Sequence, residues 1–191
     1  KLILPMLSSR GCYWTRCAFC SHYHLFRRRF RMKTAERVLD EMKSLADRYG
    51  AGVFYLADES IPPKTARPLA ARVVSESLPF RWFGECRFER ALDAESLQAL
   101  HAGGCRMLMF GLESAVPRVL DLMEKGIDPQ RAAAILRACA EVGIRTFVMF
   151  FIGFLTSVFN PFFLVGDNLL YTLRHFSLIS LFALGEAVFI F

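Results

Sequence analysis

Short apolar runs alternating with helical periods, at a nearly regular rhythm, restrict this chain to parallel βαβ units joined by right-handed crossovers. Leu2 to Leu7 reads as a strand and stops at Ser8-Ser9-Arg10-Gly11. Thr34 to Tyr49 carries Val38, Leu39, Met42 and Leu45 at helical spacing, with Thr34 as N-cap and Gly50 as stop. Strand Val53 to Ala57, helix Thr65 to Ser77 and strand Arg81 to Cys86 follow, then a helix from Ala94 to Ala102 that ends at Gly103-Gly104. Beyond it come strand Arg106 to Phe110, helical turns around Pro117 to Met123, helix Pro129 to Val142 capped by Gly143, and strand Thr146 to Ile152. Polar residues recur where strands end: Asp58-Glu59, Glu85 with Arg87, and Glu113-Ser114. A closed or partly closed barrel gathers all such ends on one face, whereas an open sheet focuses a ligand at one switch point. The fold class expected is therefore α/β, a partial TIM-like barrel of parallel strands.

Past the end of the first strand lie Cys12, Cys17 and Cys20 on one short loop. Three thiolates can hold three corners of a cubic iron-sulfur cluster and leave the fourth iron open, whereas an electron-transfer cluster normally takes four cysteines. An open iron can bind and activate a small molecule. Zinc is the rival: His22 or His24 can complete a Cys3His set after the Cys17-Cys20 pair. A disulfide framework is disfavoured, because a chain of 191 residues, 54% hydrophobic, has core enough without staples. Six cysteines without a secretory segment point to a reducing compartment and a cytoplasmic protein; Cys86, Cys105 and Cys139, isolated in apolar surroundings, read as core residues.

The net charge of +6 permits an acidic partner, but apart from Arg27, Arg28, Arg29 and Arg31 the basic residues are scattered. They are not interleaved with aromatics along one face, so there is no strong nucleic-acid signal. The arginine cluster reads as a solvated connection to the first helix, with the seating of an anionic substrate group or a redox donor as the alternative. Phe147 to Gly166 is nearly uncharged and about long enough to cross a bilayer, which takes roughly 20 residues. Gly153, Asn160 and Pro161 interrupt it and its start fits a fifth barrel strand, so buried strand and helix are favoured over a membrane span.

Read in order, these segments resemble the radical S-adenosylmethionine (radical SAM) superfamily, in particular the subgroup often fused to a cobalamin-binding domain. The resemblance is carried by Ser9-Arg10-Gly11-Cys12 through Cys20-Ser21-His22-Tyr23, Leu56-Ala57-Asp58-Glu59, Ala102-Gly103-Gly104-Cys105, Phe110-Gly111-Leu112-Glu113-Ser114, Lys125-Gly126 and Phe151-Ile152-Gly153. It covers about Leu2 to Gly153 and implies a single core domain over residues 1–191, a (β/α)6 partial barrel. Asp167 to His175 would be its next helix, and Leu181 to Phe191 a sixth strand carrying Glu186. It departs from the family in two places. Four residues separate Cys12 from Cys17 where three are usual, so the loop must bulge by one position, and after Gly153 the usual proline and Thr-Glu pair are replaced by Phe154-Leu155-Thr156.

The resemblance implies that Cys12, Cys17 and Cys20 ligate a 4Fe-4S cluster whose unique iron chelates S-adenosylmethionine, and that Phe19 packs by the adenine. Such a zwitterionic, cationic cofactor asks for carboxylates and a guanidinium. Glu59, Glu85 and Glu113 are candidates for its ammonium or ribose hydroxyls, and Arg87 for its carboxylate, with Lys125 a lesser candidate; ordinary ion pairs are the alternative for each. Tyr13 and Trp14 would shield the cluster, or Trp14 would reach a substrate. Reductive cleavage to a 5′-deoxyadenosyl radical would act on a small-molecule or peptide substrate, with a flavodoxin-like or ferredoxin-like electron donor. Cobalamin-assisted methyl transfer would need a domain outside these residues. A zinc-stabilised binding module and a membrane-anchored redox protein remain the rival classes.

Overall fold

The computed structural model of the chain describes residues 2–20 and 29–150. Its frame is a parallel sheet of β1 (Ile3–Met6), β4 (Val53–Leu56), β5 (Arg81–Cys86), β6 (Cys105–Glu113) and β7 (Arg145–Phe150), hydrogen-bonded in that order. The crossovers carry helices α1 (Ala35–Tyr49), α2 (Pro63–Ser75), α3 (Ala94–Ala102), α4 (Pro117–Leu122) and α5 (Pro129–Val142). Chain order and sheet order coincide, so the five strands contain no switch point; this is the order of a partial TIM-like barrel, as the strand-end pattern implied.

Local chemistry sets the helix ends. The Thr34 hydroxyl accepts from the Arg37 amide (3.3 Å) and Asp93 from the Ser96 amide (2.8 Å), while Gly50 and Gly143 close α1 and α5 in the left-handed conformation. The second helix starts at Pro63, two residues before the expected Thr65, because a proline in the first turn is already set to helical φ and sacrifices no intrahelical bond. β6 continues past Phe110 to Glu113, since the alternation of buried and half-buried residues runs on through Leu112.

Alternation gives the sheet two different faces. Phe54, Leu56, Trp82, Leu108 and Phe110 pack with Leu39, Leu69 and Leu97 of the helices into one core, and the Trp82 indole N–H donates to the Gly103 carbonyl (2.9 Å). On the other face an in-register row, Pro5, Tyr55, Phe83, Met107 and Arg145, crosses all five strands. Tyr55 and Phe83 stack there, centroids 5.1 Å apart, and Glu85 lies in register with Met109 and Phe147 in the next row.

A two-residue antiparallel ladder, β2 (Ser9–Arg10) with β3 (Arg31–Met32), pinches the base of the cysteine loop. Ladders this short have no periodicity to read, and its halves lie twenty residues apart in sequence. Arg29 and Arg31 are exposed, as a solvated connection should be. Among the described residues no helix is long and apolar enough to cross a membrane. The expected helix Asp167 to His175, the strand Leu181 to Phe191 with Glu186, the segment Phe151-Ile152-Gly153, and His22, His24, Arg27 and Arg28 lie outside the described residues.

Candidate active site

The site is built where β1, β4, β5 and β6 end. Asp58, just past β4 and 2% exposed, accepts from both serines that follow β1. The amide and hydroxyl of Ser8 reach Oδ2 at 3.2 and 3.0 Å; the amide of Ser9 and its hydroxyl, at 2.6 Å, reach Oδ1. Four donors on one buried carboxyl group fix the direction in which the chain leaves β1, and so where the cysteine loop starts.

From Gly11 the loop is held down along its length. Tyr13 donates to Glu89 (3.2 Å) and accepts from the Ser60 hydroxyl (3.4 Å), and burial pushes its phenol well above the ordinary tyrosine range. Trp14 donates from its indole nitrogen to the Glu124 carbonyl (2.8 Å), and the Ala18 amide donates to the Met123 carbonyl (2.9 Å). Between Cys12 and Cys17, Thr15 takes a left-handed φ of +52°.

Beneath the loop lies the turn Glu124-Lys125-Gly126. Gly126 has φ +64°, and a Cβ there would run into the six-membered ring of Trp14, so this glycine is required both by its backbone and by its neighbour. The Arg87 guanidinium lies 4.2 Å from the center of the Trp14 indole, donates from Nη2 to the Lys125 carbonyl (2.6 Å) and from Nε to Glu89 (3.2 Å). Both of those nitrogens therefore face protein groups, and Arg87 braces the loop. Lys125, 7% exposed, pairs with Glu113 at 3.1 Å and stands 5.4 Å from the center of the Phe19 ring.

Electrostatics link the three loop thiols. Burial pushes the Cys17 thiol up; Lys125 and then Arg87 pull it back down, while Cys12 and Cys20 push it up again. All three cysteines are free and partly accessible. Among the described residues no group of three Cys, His, Asp or Glu side chains stands around one metal-ion position. The donor set fits a cubic iron-sulfur cluster: three thiols on one loop, flanked by two buried cations, Arg87 and Lys125, that would compensate its net negative charge.

The other expected residues are placed as follows. Phe19 is 41% exposed beside the last cysteine. Glu85 is half-buried on the face opposite the helices, and Glu59, Glu85 and Asp58 all push up the Tyr55 phenol, after burial, so these acids share one neighborhood. Glu113 closes β6 with a left-handed φ of +66°. Cys86 and Cys139 are buried, their thiols pushed up to about 12 and about 11 by burial, and Cys105 higher still, so they are core residues as expected.

The model of the Radical SAM superfamily matches residues 6–157. The chain belongs to the radical SAM superfamily. Among curated relatives of this radical SAM chain, an uncharacterized methyltransferase of Pyrococcus horikoshii is 32% identical over 151 residues, 78% of this chain and 32% of the relative. Cytidylyl-2-hydroxyethylphosphonate methyltransferase of Streptomyces wedmorensis is 28% identical over 151 residues, 78% and 28% of the two chains. Among solved structures, the radical SAM methyltransferase TsrM from Kitasatospora setae, with cobalamin and a [4Fe-4S] cluster bound, is similar at a TM-score of 0.66 and 26% identity, over 76% of this chain and 30% of that one. The chain thus spans between a quarter and a third of the length of the curated relatives it matches.

Proposed function

We propose that this chain is the core of an iron-sulfur enzyme in which Cys12, Cys17 and Cys20 hold three irons of a 4Fe-4S cluster and leave the fourth open to S-adenosylmethionine. The observation that carries the reading is the seat of the cysteine loop, fixed by Asp58 at its root and by Arg87, Glu124 and Gly126 under Trp14, with two buried cations acting on Cys17. When bound and reduced, the cluster supplies one electron that splits the sulfonium into methionine and a 5′-deoxyadenosyl radical. The protein's own part is to position the cofactor and exclude water. Phe19 offers a ring face to the adenine. Glu113, Glu85 and Glu59 offer carboxylates toward the ammonium and the ribose hydroxyls. On the sheet face opposite the helices, Tyr55, Phe83, Met107 and Met109 offer apolar surface around Glu85.

The core domain is read as residues 1–191, acting on a small-molecule or peptide substrate and drawing its electron from a flavodoxin-like or ferredoxin-like donor in the cytoplasm. Methyl transfer assisted by cobalamin, held by a domain outside these residues, is the outcome favored by the named methyltransferase relatives and the cobalamin-bound structural neighbor. Anaerobically reconstituted with iron and sulfide, the full chain is expected to be brown and, with dithionite, to release 5′-deoxyadenosine from S-adenosylmethionine. A colorless protein holding one zinc would overturn the reading in favor of a binding module.

A further inference from the structure

A buried lysine is rare unless it is paired, and the pairing of Lys125 is unusually elaborate. Its partner Glu113 is held in a left-handed conformation at the end of β6. Gly111 leaves the pair its room: a Cβ there would stand 2.7 Å from the Glu113 carboxylate and 3.1 Å from the Lys125 ammonium, so a side chain at 111 would push the two ends aside. The lysine's carbonyl is tied to Arg87, and its neighbors Glu124 and Gly126 have φ of +50° and +64°. Left-handed backbone at a non-glycine residue is unfavorable and persists where the surroundings impose it. An exposed ion pair, worth little in itself, would need none of this. What it achieves is to fix one positive charge against the cysteine loop, 5.4 Å from the center of the Phe19 ring beside Cys20 and two residues after Met123, whose carbonyl accepts from the Ala18 amide beside Cys17.

We propose that Lys125 is a positioning residue that sets the reduction potential of the cluster. The inference rests on the cluster assignment proposed above. Reduction adds one electron to the cluster, with no bond made or broken and no proton moved, so the reduced form carries one more negative charge. A fixed ammonium in a poorly solvated site favors that form, and Glu113, held against it, limits how far. The two residues therefore act with opposite sign on one equilibrium.

Redox titration of the reconstituted full chain with dithionite, without S-adenosylmethionine and followed by electron paramagnetic resonance, tests this. Lys125→Gln is expected to lower the midpoint, leaving the ratio of reduced to oxidized cluster about tenfold smaller at a given potential, which is about 59 mV for one electron. Glu113→Gln is expected to raise it, and Lys125→Arg to restore the wild-type value. If Lys125→Gln fails to fold, the direction of the Glu113→Gln shift decides. An unmoved midpoint in the charge-removing variants, with full iron content, would overturn the role of Lys125 and leave the cluster assignment standing. A wild-type chain that takes up no iron would overturn the assignment itself, and this inference with it.

Discussion

Cys17→Ala in the reconstituted full chain is expected to cut S-adenosylmethionine cleavage by about 10³-fold or more and to lower bound iron with it. Ligands to one cluster act as a unit, so removing any one of them costs nearly as much as removing all. With two thiolates left, a second iron is uncovered and the cube loses the asymmetry that reserves one iron for the cofactor. Cys139→Ala provides the contrast. It is a buried residue of α5 with its thiol held protonated, so the loss should be one of packing, roughly 1–2 kcal/mol, with iron content unchanged. Iron analysis and product release on the two variants, side by side, check both statements; equal iron in both would contradict the ligand assignment.

Asp58→Ala is expected to have the largest effect on the fold, about 3–5 kcal/mol. Four donors from Ser8 and Ser9 converge on a carboxyl group that is 2% exposed, and without it two buried amides and two hydroxyls lose their acceptor at once. Asp58→Asn should not rescue it, since an amide keeps one acceptor oxygen and turns an NH₂ toward donors. Chemical denaturation followed by circular dichroism measures the loss. A change below about 1 kcal/mol would mean that the exit of β1 is held by something other than this carboxyl group. Because the cysteine loop begins two residues later, the same variant should also assemble less cluster at a temperature where it is still folded.

Much of this arrangement is legible in the sequence, and the reasons differ from one part to another. Thr34, Gly50, Asp93 and Gly143 mark helix ends by local chemistry that needs no tertiary context, and the helices begin or end beside them. Strand ends carrying Asp58, Arg87 and Glu113 are visible because polar residues interrupt apolar runs, and in the structure they converge as a barrel order requires. What each polar residue touches is another matter, since it depends on partners that only the fold supplies. Arg87, read from sequence as a fork for the cofactor carboxylate, lies against Trp14 and the Lys125 carbonyl. Asp58, passed over in favor of Glu59, anchors the loop through Ser8 and Ser9, fifty and forty-nine residues away. Lys125, the lesser candidate, has the strongest opposing effect on the Cys17 thiol after burial. For two of them a sequence signal existed: paired serines after a strand for Asp58, and a Lys-Gly turn following a short helix for Lys125. Their meaning lay in contacts 38 to 110 residues distant, between Arg87 and Lys125 and between Trp14 and Glu124.

The most direct measurement is a Mössbauer spectrum of the full chain reconstituted with iron-57, recorded with and without S-adenosylmethionine. A single iron site is expected to shift when the cofactor is added while the three cysteine-bound sites stay as they were. A spectrum that does not respond to S-adenosylmethionine, or one with every iron equivalent in both states, would contradict the cluster assignment.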